Sequence, residues 1–169
     1  SDTTKPTINC FSDTVDYFNS TCFYILNDYG SLLNISDNCD NNLTITQSPA
    51  QGLFIADTTI ITISASDISG NTSTCSFNLN LVDSIKPTIS CLNNLSDYYN
   101  SNCEFVLTDY SFNANALDNC HPNPIISQFP PIGSVINSDT TINLTVTDDA
   151  GNSSSCDFNF TLTDSIKPL

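Results

Sequence analysis

Hydrophobic and polar positions alternate along much of this chain. Cys75, Phe77, Leu79 and Leu81 are separated by Ser76, Asn78 and Asn80, and Cys156, Phe158, Phe160 and Leu162 by Asp157, Asn159 and Thr161. A similar run precedes each: Ile61, Ile63 and Ala65, then Ile142, Leu144 and Val146. A period of two turns one face of a strand to a core and the other to water. Between the paired runs lie Asp67, Gly70 and Asn71, and then Asp148, Gly151 and Asn152. Glycine and asparagine tolerate positive φ, so each segment predicts a hairpin. Further strands are expected at residues 7–11, 22–26 and 43–47 and at their later copies. No window of eleven residues or more carries a helical period.

The copies follow one offset. Cys10, Cys22, Cys39 and Cys75 recur as Cys91, Cys103, Cys120 and Cys156, each 81 residues on. Lys5-Pro6 recurs as Lys86-Pro87 and again as Lys167-Pro168. The chain therefore reads as a first repeat over 1–82, a second over 83–163, and the start of a third over 164–169. Five to seven short strands in about 80 residues predict an all-β chain of two tandem immunoglobulin-like antiparallel β-sandwiches. The boundary is short and ends in proline, which restricts both itself and Lys86, so a stiff joint is expected. One segment breaks the offset: Asp57-Thr-Thr-Ile60 and Asp139-Thr-Thr-Ile142 are 82 apart. That predicts a loop or bulge at the start of one strand.

Composition narrows the function. A repeat of this size buries a modest core and gains from cross-links. Four cysteines per repeat, without the close pairs of a zinc site, read as disulfides and place the chain outside the cell or on its surface. The net charge is −15, with 3 Lys+Arg against 18 Asp+Glu. Such a surface repels nucleic acid and anionic lipid, so neither is expected as a partner. No stretch approaches the roughly 20 apolar residues that a membrane-spanning helix needs, so no membrane insertion is expected.

Taken together, these features resemble the hyalin-repeat module of large bacterial surface proteins. The residues that carry the resemblance are Lys86-Pro-Thr-Ile-Ser-Cys91, Ala116-Leu-Asp-Asn-Cys120, and the run from Asp139 through Gly151-Asn152 to Cys156 and Phe160. The first copy keeps Lys5-Pro-Thr-Ile-Asn-Cys10, Asp37-Asn-Cys39 and Gly70-Asn71 through Cys75. Phe11 and Leu92 stand where the family often has proline, and Asp40 and His121 where it often has glycine. The resemblance implies an immunoglobulin-like fold, a role in adhesion or modular architecture, and no catalytic constellation. In a sandwich of that type Cys10 and Cys22 can face each other across the first hairpin, and Cys39 and Cys75 lie at one end. The pairing Cys10–Cys22 with Cys39–Cys75 is therefore expected, with Cys91–Cys103 and Cys120–Cys156 in the second copy, although four cysteines permit three pairings.

Candidate chemistry lies in the loops. Asp83, Asp118, Asp148 and Asp149 in the second repeat, and Asp2, Asp37 and Asp67 in the first, are candidates for an oxygen cage holding Ca²⁺. A second reading is that these residues serve turns through bonds to nearby backbone. His121, the single histidine, is expected as an exposed loop residue; alone it supports neither an acid–base pair nor a Ser–His arrangement, so no enzyme activity is expected. Thr58, Ser84, Thr140 and Ser165 follow aspartates in a pattern that resembles a bacterial O-glycosylation motif; ordinary turn and strand starts would look the same. The expected function is a disulfide-stapled stalk segment of an extracellular adhesin or fibre. Its expected partners are neighbouring repeats, other copies in a filament, and surface glycans. The alternative is a glycan- or protein-binding module, calcium-dependent or not.

Overall fold

A computed structural model describes residues 2–165. The expected opening of a third repeat falls largely on residues 166–169, outside the described residues. The chain forms two compact units, Ser1–Asp83 and Ser84–Leu169.

In the first unit β1 (Thr7–Asn9), β2 (Thr14–Tyr17), β3 (Tyr24–Ile25), β4 (Asn34–Ser36), β5 (Thr44–Ser48), β6 (Phe54–Ile55), β7 (Thr59–Ser66) and β8 (Thr72–Val82) follow in order. One sheet has the order β2-β8-β7-β5, and two short ladders, β1-β4 and β3-β6, complete the unit. The alternating runs form β7 and β8, paired antiparallel through Ile63↔Cys75 and joined by the expected hairpin. Gly70, at φ 88°, takes the left-handed position of that turn. Ile61, Ile63, Phe77 and Leu79 point inward and meet Tyr24, Leu26 and Tyr29 across the sandwich. Each such aliphatic side chain contributes roughly 1.5–3 kcal/mol by leaving water.

The second unit repeats the plan with β9 (Thr88–Ser90), β10 (Leu95–Tyr98), β11 (Phe105–Val106), β12 (Asn115–Leu117), β13 (Ile125–Phe129), β14 (Val135–Ile136), β15 (Thr140–Thr147) and β16 (Ser153–Thr163). Its main sheet runs β10-β16-β15-β13. The core again comes from the alternating runs, with Ile142, Leu144, Phe158 and Phe160 packed with Leu107 and Tyr110. Both units are immunoglobulin-like β-sandwiches, as strand order and two-layer packing require.

Two expectations about local structure are corrected. The chain does not make a hairpin of its first two strands. β1 pairs antiparallel with β4, whereas β2 has crossed to the other sheet and runs parallel to β8. The anticipated loop or bulge before β7 is also absent, because β7 and β15 start 81 residues apart, at Thr59 and Thr140. Burial sets this register: Ile61 and Ile142 are both fully buried, while Ile60 is exposed. Thr58 and Asp139 then become equivalent, and they do one job with different chemistry. Thr58 Oγ1 accepts the amide of Leu81 at 3.2 Å, and Asp139 Oδ1 accepts that of Leu162 at 2.9 Å.

Candidate metal centre at the loop end of each repeat

In the first repeat three aspartates converge. Asp37 follows β4, Asp67 follows β7, and Asp2 precedes β1. Each offers an oxygen within 4.8 Å of the others. Backbone geometry positions two of them. Asp37 Oδ1 accepts the amides of Cys39 and Asp40 at 3.0 and 3.1 Å, an Asx turn. Asp67, only 7% exposed, accepts the Asn71 amide at 2.8 Å and its side-chain Nδ2 at 2.6 Å. Asn71 Nδ2 also reaches the Asp2 carbonyl at 3.2 Å, tying the N-terminal segment to the hairpin. The Asn71 side-chain bond, followed by burial acting the other way and by backbone amides, leaves the Asp67 carboxyl below its ordinary pKa.

These turn bonds do not use every oxygen. Asp2 Oδ2 and Asp37 Oδ2 are buried without a hydrogen-bond partner. A carboxylate is an acceptor alone, so two such oxygens facing a third carboxylate repel unless a cation or proton joins them. The field reaches the Cys39 thiol, which the Asp2 charge first, then burial, pushes above its usual range.

In the second repeat Asp118 and Asp148 stand where Asp37 and Asp67 stand in the first. Asp118 Oδ2 accepts the amides of Cys120 and His121, and its buried Oδ1 has no partner. Asn152 bonds Asp148 through its amide at 2.7 Å and its side chain at 2.9 Å. Asp149 does not join them: its carboxylate lies 2.7 Å from His121 Nδ1 and is largely exposed. Asp148 closes the hairpin through its bonds to Asn152, whereas Asp149 lies in the turn itself.

His121 is thus a tie between loops rather than an exposed residue; its side chain is 18% exposed. Its Nε2 lies 2.7 Å from the Asn123 carbonyl. The first repeat makes the equivalent tie with other groups, because Asp40 Oδ2 accepts the Ile68 amide at 2.8 Å. Positions 40 and 68 correspond to 121 and 149, so both repeats clamp the loop after β4 or β12 to the last hairpin. The offset of 81 aligned these positions in advance, but nothing in it revealed that they touch.

The cysteine pairing is also corrected. Cys10 bonds Cys75 and Cys91 bonds Cys156, each spanning 65 residues, with Cα atoms 5.9 and 5.7 Å apart. Cys10 follows β1 in one layer and Cys75 lies on β8 in the other, so each bond staples the two layers. The pairs Cys10–Cys22 and Cys91–Cys103 do not form, because β1 and β3 pair with β4 and β6 rather than with each other, as do their copies; Cys39–Cys75 and Cys120–Cys156 do not form, because Cys75 and Cys156 are held by Cys10 and Cys91. Cys39 and Cys103 are exposed free thiols, contrary to the expectation that all eight cysteines would be bonded. Cys22 lies in a tight turn over residues 19–23 at φ 58°. Of the candidate glycan acceptors, Thr58, Ser84 and Ser165 are exposed, and Thr140 is half-buried at the head of β15.

No protein-family model matches the chain, and no curated protein matches it. Among solved structures it is similar to the I67–I69 fragment of titin, with a TM-score of 0.44 and 8% identity over 96% of this chain and 67% of that one. The Ig1-2 module of the Drosophila receptor tyrosine phosphatase DLAR aligns at a TM-score of 0.28 and 10% identity, over 95% and 100%. The ectodomain of human desmocollin-1 aligns at 0.27 and 13%, over 94% and 40%.

Proposed function

We propose that this chain is a stalk segment of hyalin-repeat type from an extracellular surface adhesin or fibre, with one Ca²⁺ held at the loop end of each repeat. The observation that carries the stalk reading is the repeated staple: each sandwich locks 65 residues of its chain behind one covalent bond between layers. Such a module yields little length under load and resists proteolysis, and disulfides of this kind persist outside the cell. Repetition then multiplies reach and supplies many weak contacts for avidity.

Calcium is supported by the donor set. Oxygens 2.3–2.6 Å from one ion lie at most about 5 Å apart, which matches three carboxylates grouped within 4.8 Å. An ion there would satisfy Asp2 and Asp37 in one repeat and Asp118 in the other, and would bind the N-terminal segment, the loop after β4 or β12, and the last hairpin together.

Calorimetric titration of metal-free protein with CaCl₂ tests this reading. Two ions per chain are expected, and one in Asp37→Asn, which keeps the Oδ1 acceptor but removes charge. At a hundredfold excess over Kd the ion adds about 2.7 kcal/mol, or roughly 10–20 °C in Tm for a repeat of this size. Absence of binding heat, with the same Tm in chelator and in calcium, would overturn the calcium part and leave the stalk part standing.

A further inference from the structure

Each repeat has two cysteines besides its staple, and the fold sends them to opposite poles. One pole is where the chain enters. β1 pairs with β4 through Thr7↔Ser36, so the loop after β4 returns to the start of the first repeat. Cys39 lies in that loop, its amide bonded to Asp37 Oδ1 at 3.0 Å. The other pole is where the chain leaves. β10 runs parallel to β16 through Tyr98↔Thr163, and the Tyr99 amide donates to the Thr163 carbonyl at 3.2 Å. The turn after β10 therefore lies at the exit of the second repeat, and Cys103 stands in it, donating its amide to the Asn100 carbonyl at 3.0 Å. The eleven residues of β8 or of β16 run between the poles, roughly 36 Å at about 3.3 Å per residue. A disulfide needs Cα atoms within about 7 Å, so the entry and exit cysteines of one repeat cannot bond each other.

Cys39 and Cys103 are exposed thiols. Their counterparts, Cys120 for Cys39 and Cys22 for Cys103, are disulfide-bonded. Neither counterpart is bonded inside its own repeat, because there the staple takes two cysteines and the remaining one is the free thiol. Entry and exit positions are thus bonding positions in this protein. The free sulfurs are also held as the bonded ones are. Asn38 Nδ2 lies 3.0 Å from Cys39 Sγ, and Asn119 Nδ2 lies 3.1 Å from Cys120 Sγ. Cys103 has φ 59° and Cys22 φ 58°, the two non-glycine residues with positive φ among those described. Glycine would take that turn position at lower cost, so what the turn retains is the sulfur.

We propose that Cys103 of one copy and Cys39 of a second copy form a disulfide, which links copies of this chain head to tail. One thiol at each pole selects this partner: the exit of a copy meets the entry of the next, a heterologous contact that extends rather than closing as a pair. A net charge of −15 on each copy opposes association, so a covalent bond is the means of holding it. The oxidant is a small-molecule disulfide. The Cys103 thiolate attacks one of its sulfurs, forming a mixed disulfide and releasing one small thiol. The Cys39 thiolate of the second copy then attacks Cys103 Sγ and releases the other. The two protons lost by the protein thiols leave on the two released thiols. The inference rests on the stalk reading for its purpose and is independent of calcium.

The test incubates the native full chain with oxidised glutathione and resolves the products without reductant. A ladder of dimer, trimer and longer species is expected, and mass spectrometry of its proteolytic fragments should find Cys39 joined to Cys103. High salt should speed the reaction by screening the like charges. Cys39→Ser and Cys103→Ser, both at exposed sites, should keep the Tm of the parent and stay monomeric when oxidised alone. Mixed together, they should give a dimer and nothing longer, at least tenfold more of it than either gives alone. Alkylating the two thiols of the unaltered protein should abolish the ladder. Products capped only by glutathione would overturn the proposal, as would dimers of either single variant as abundant as those of the mixture. Failure of the link would leave the staples within each repeat, and the stalk reading they support, to be judged by their own test.

Discussion

Reducing the disulfides changes how far each repeat can be pulled, and the structure sets the increment. With Cys10–Cys75 intact, a repeat unfolded by force extends only through residues outside the loop, because the loop is bridged by 5.9 Å between Cα atoms. Reduction frees a separation of 65 residues. At about 3.6 Å per residue that adds roughly 230 Å of contour length per repeat. The pairing expected from the sequence would give another value. Cys10–Cys22 and Cys39–Cys75 span 12 and 36 residues, so their reduction would add roughly 160 Å. Single-molecule force spectroscopy on the tandem, oxidised and reduced, separates the two. An increment near 160 Å, or none, would refute the staple and with it the mechanical part of the proposed function. The same bond contributes about 4 kcal/mol to stability in the loop-entropy model, so reduction should also lower Tm in ordinary melting.

Other outcomes follow from contacts that differ between the repeats. Asp13 accepts the amide and side chain of Asn78, each at 2.8 Å, and the side-chain bond first, then the backbone bond, holds its carboxyl below the usual range. A depressed folded-state pKa gives stability that is present above the unfolded value, near 3.8, and is lost as pH falls through the folded one. The second repeat has Asn94 there, accepting from Asn159 at 2.9 Å, so an acid titration by NMR should move the Asn78 amide and leave Asn159 still; Asp13→Asn should remove the difference. Tyr24 donates to Asp16 at 2.6 Å and lies 3.1 Å from the Tyr29 hydroxyl, and burial above all keeps its hydroxyl protonated far past the ordinary tyrosine range. The equivalent residue is Phe105, so Tyr24→Phe should cost about 1 kcal/mol in denaturant unfolding and leave the fold intact. Leu144→Ala, at a fully buried site, should cost about 2–5 kcal/mol in the same assay.

Several features of this molecule were legible in the chain because they depend on near neighbours. Alternation marked β7, β8, β15 and β16 and chose their buried faces, since the pleat repeats every two residues. The offset of 81 announced the repeat, and the loop aspartates were recognisable as a group because strands of similar length return their loops to the same end. Which of them meet was another matter: Asp148 faces inward and Asp149 turns to His121, a choice made by hairpin geometry one residue at a time. The crossing of the chain between β1 and β2 left no local trace, because each half reads as an ordinary short strand. That crossing decided the disulfides, placing Cys10 over Cys75 across 65 residues. Burial likewise overruled the local likeness of Asp57-Thr-Thr to Asp139-Thr-Thr, because a slip of one residue would have turned Ile61 or Ile142 out of the core. Sequence by itself determined what lies on each side of a strand; only packing between layers decided which distant partner lies across from it, because that choice minimises a free energy spread over the whole sandwich.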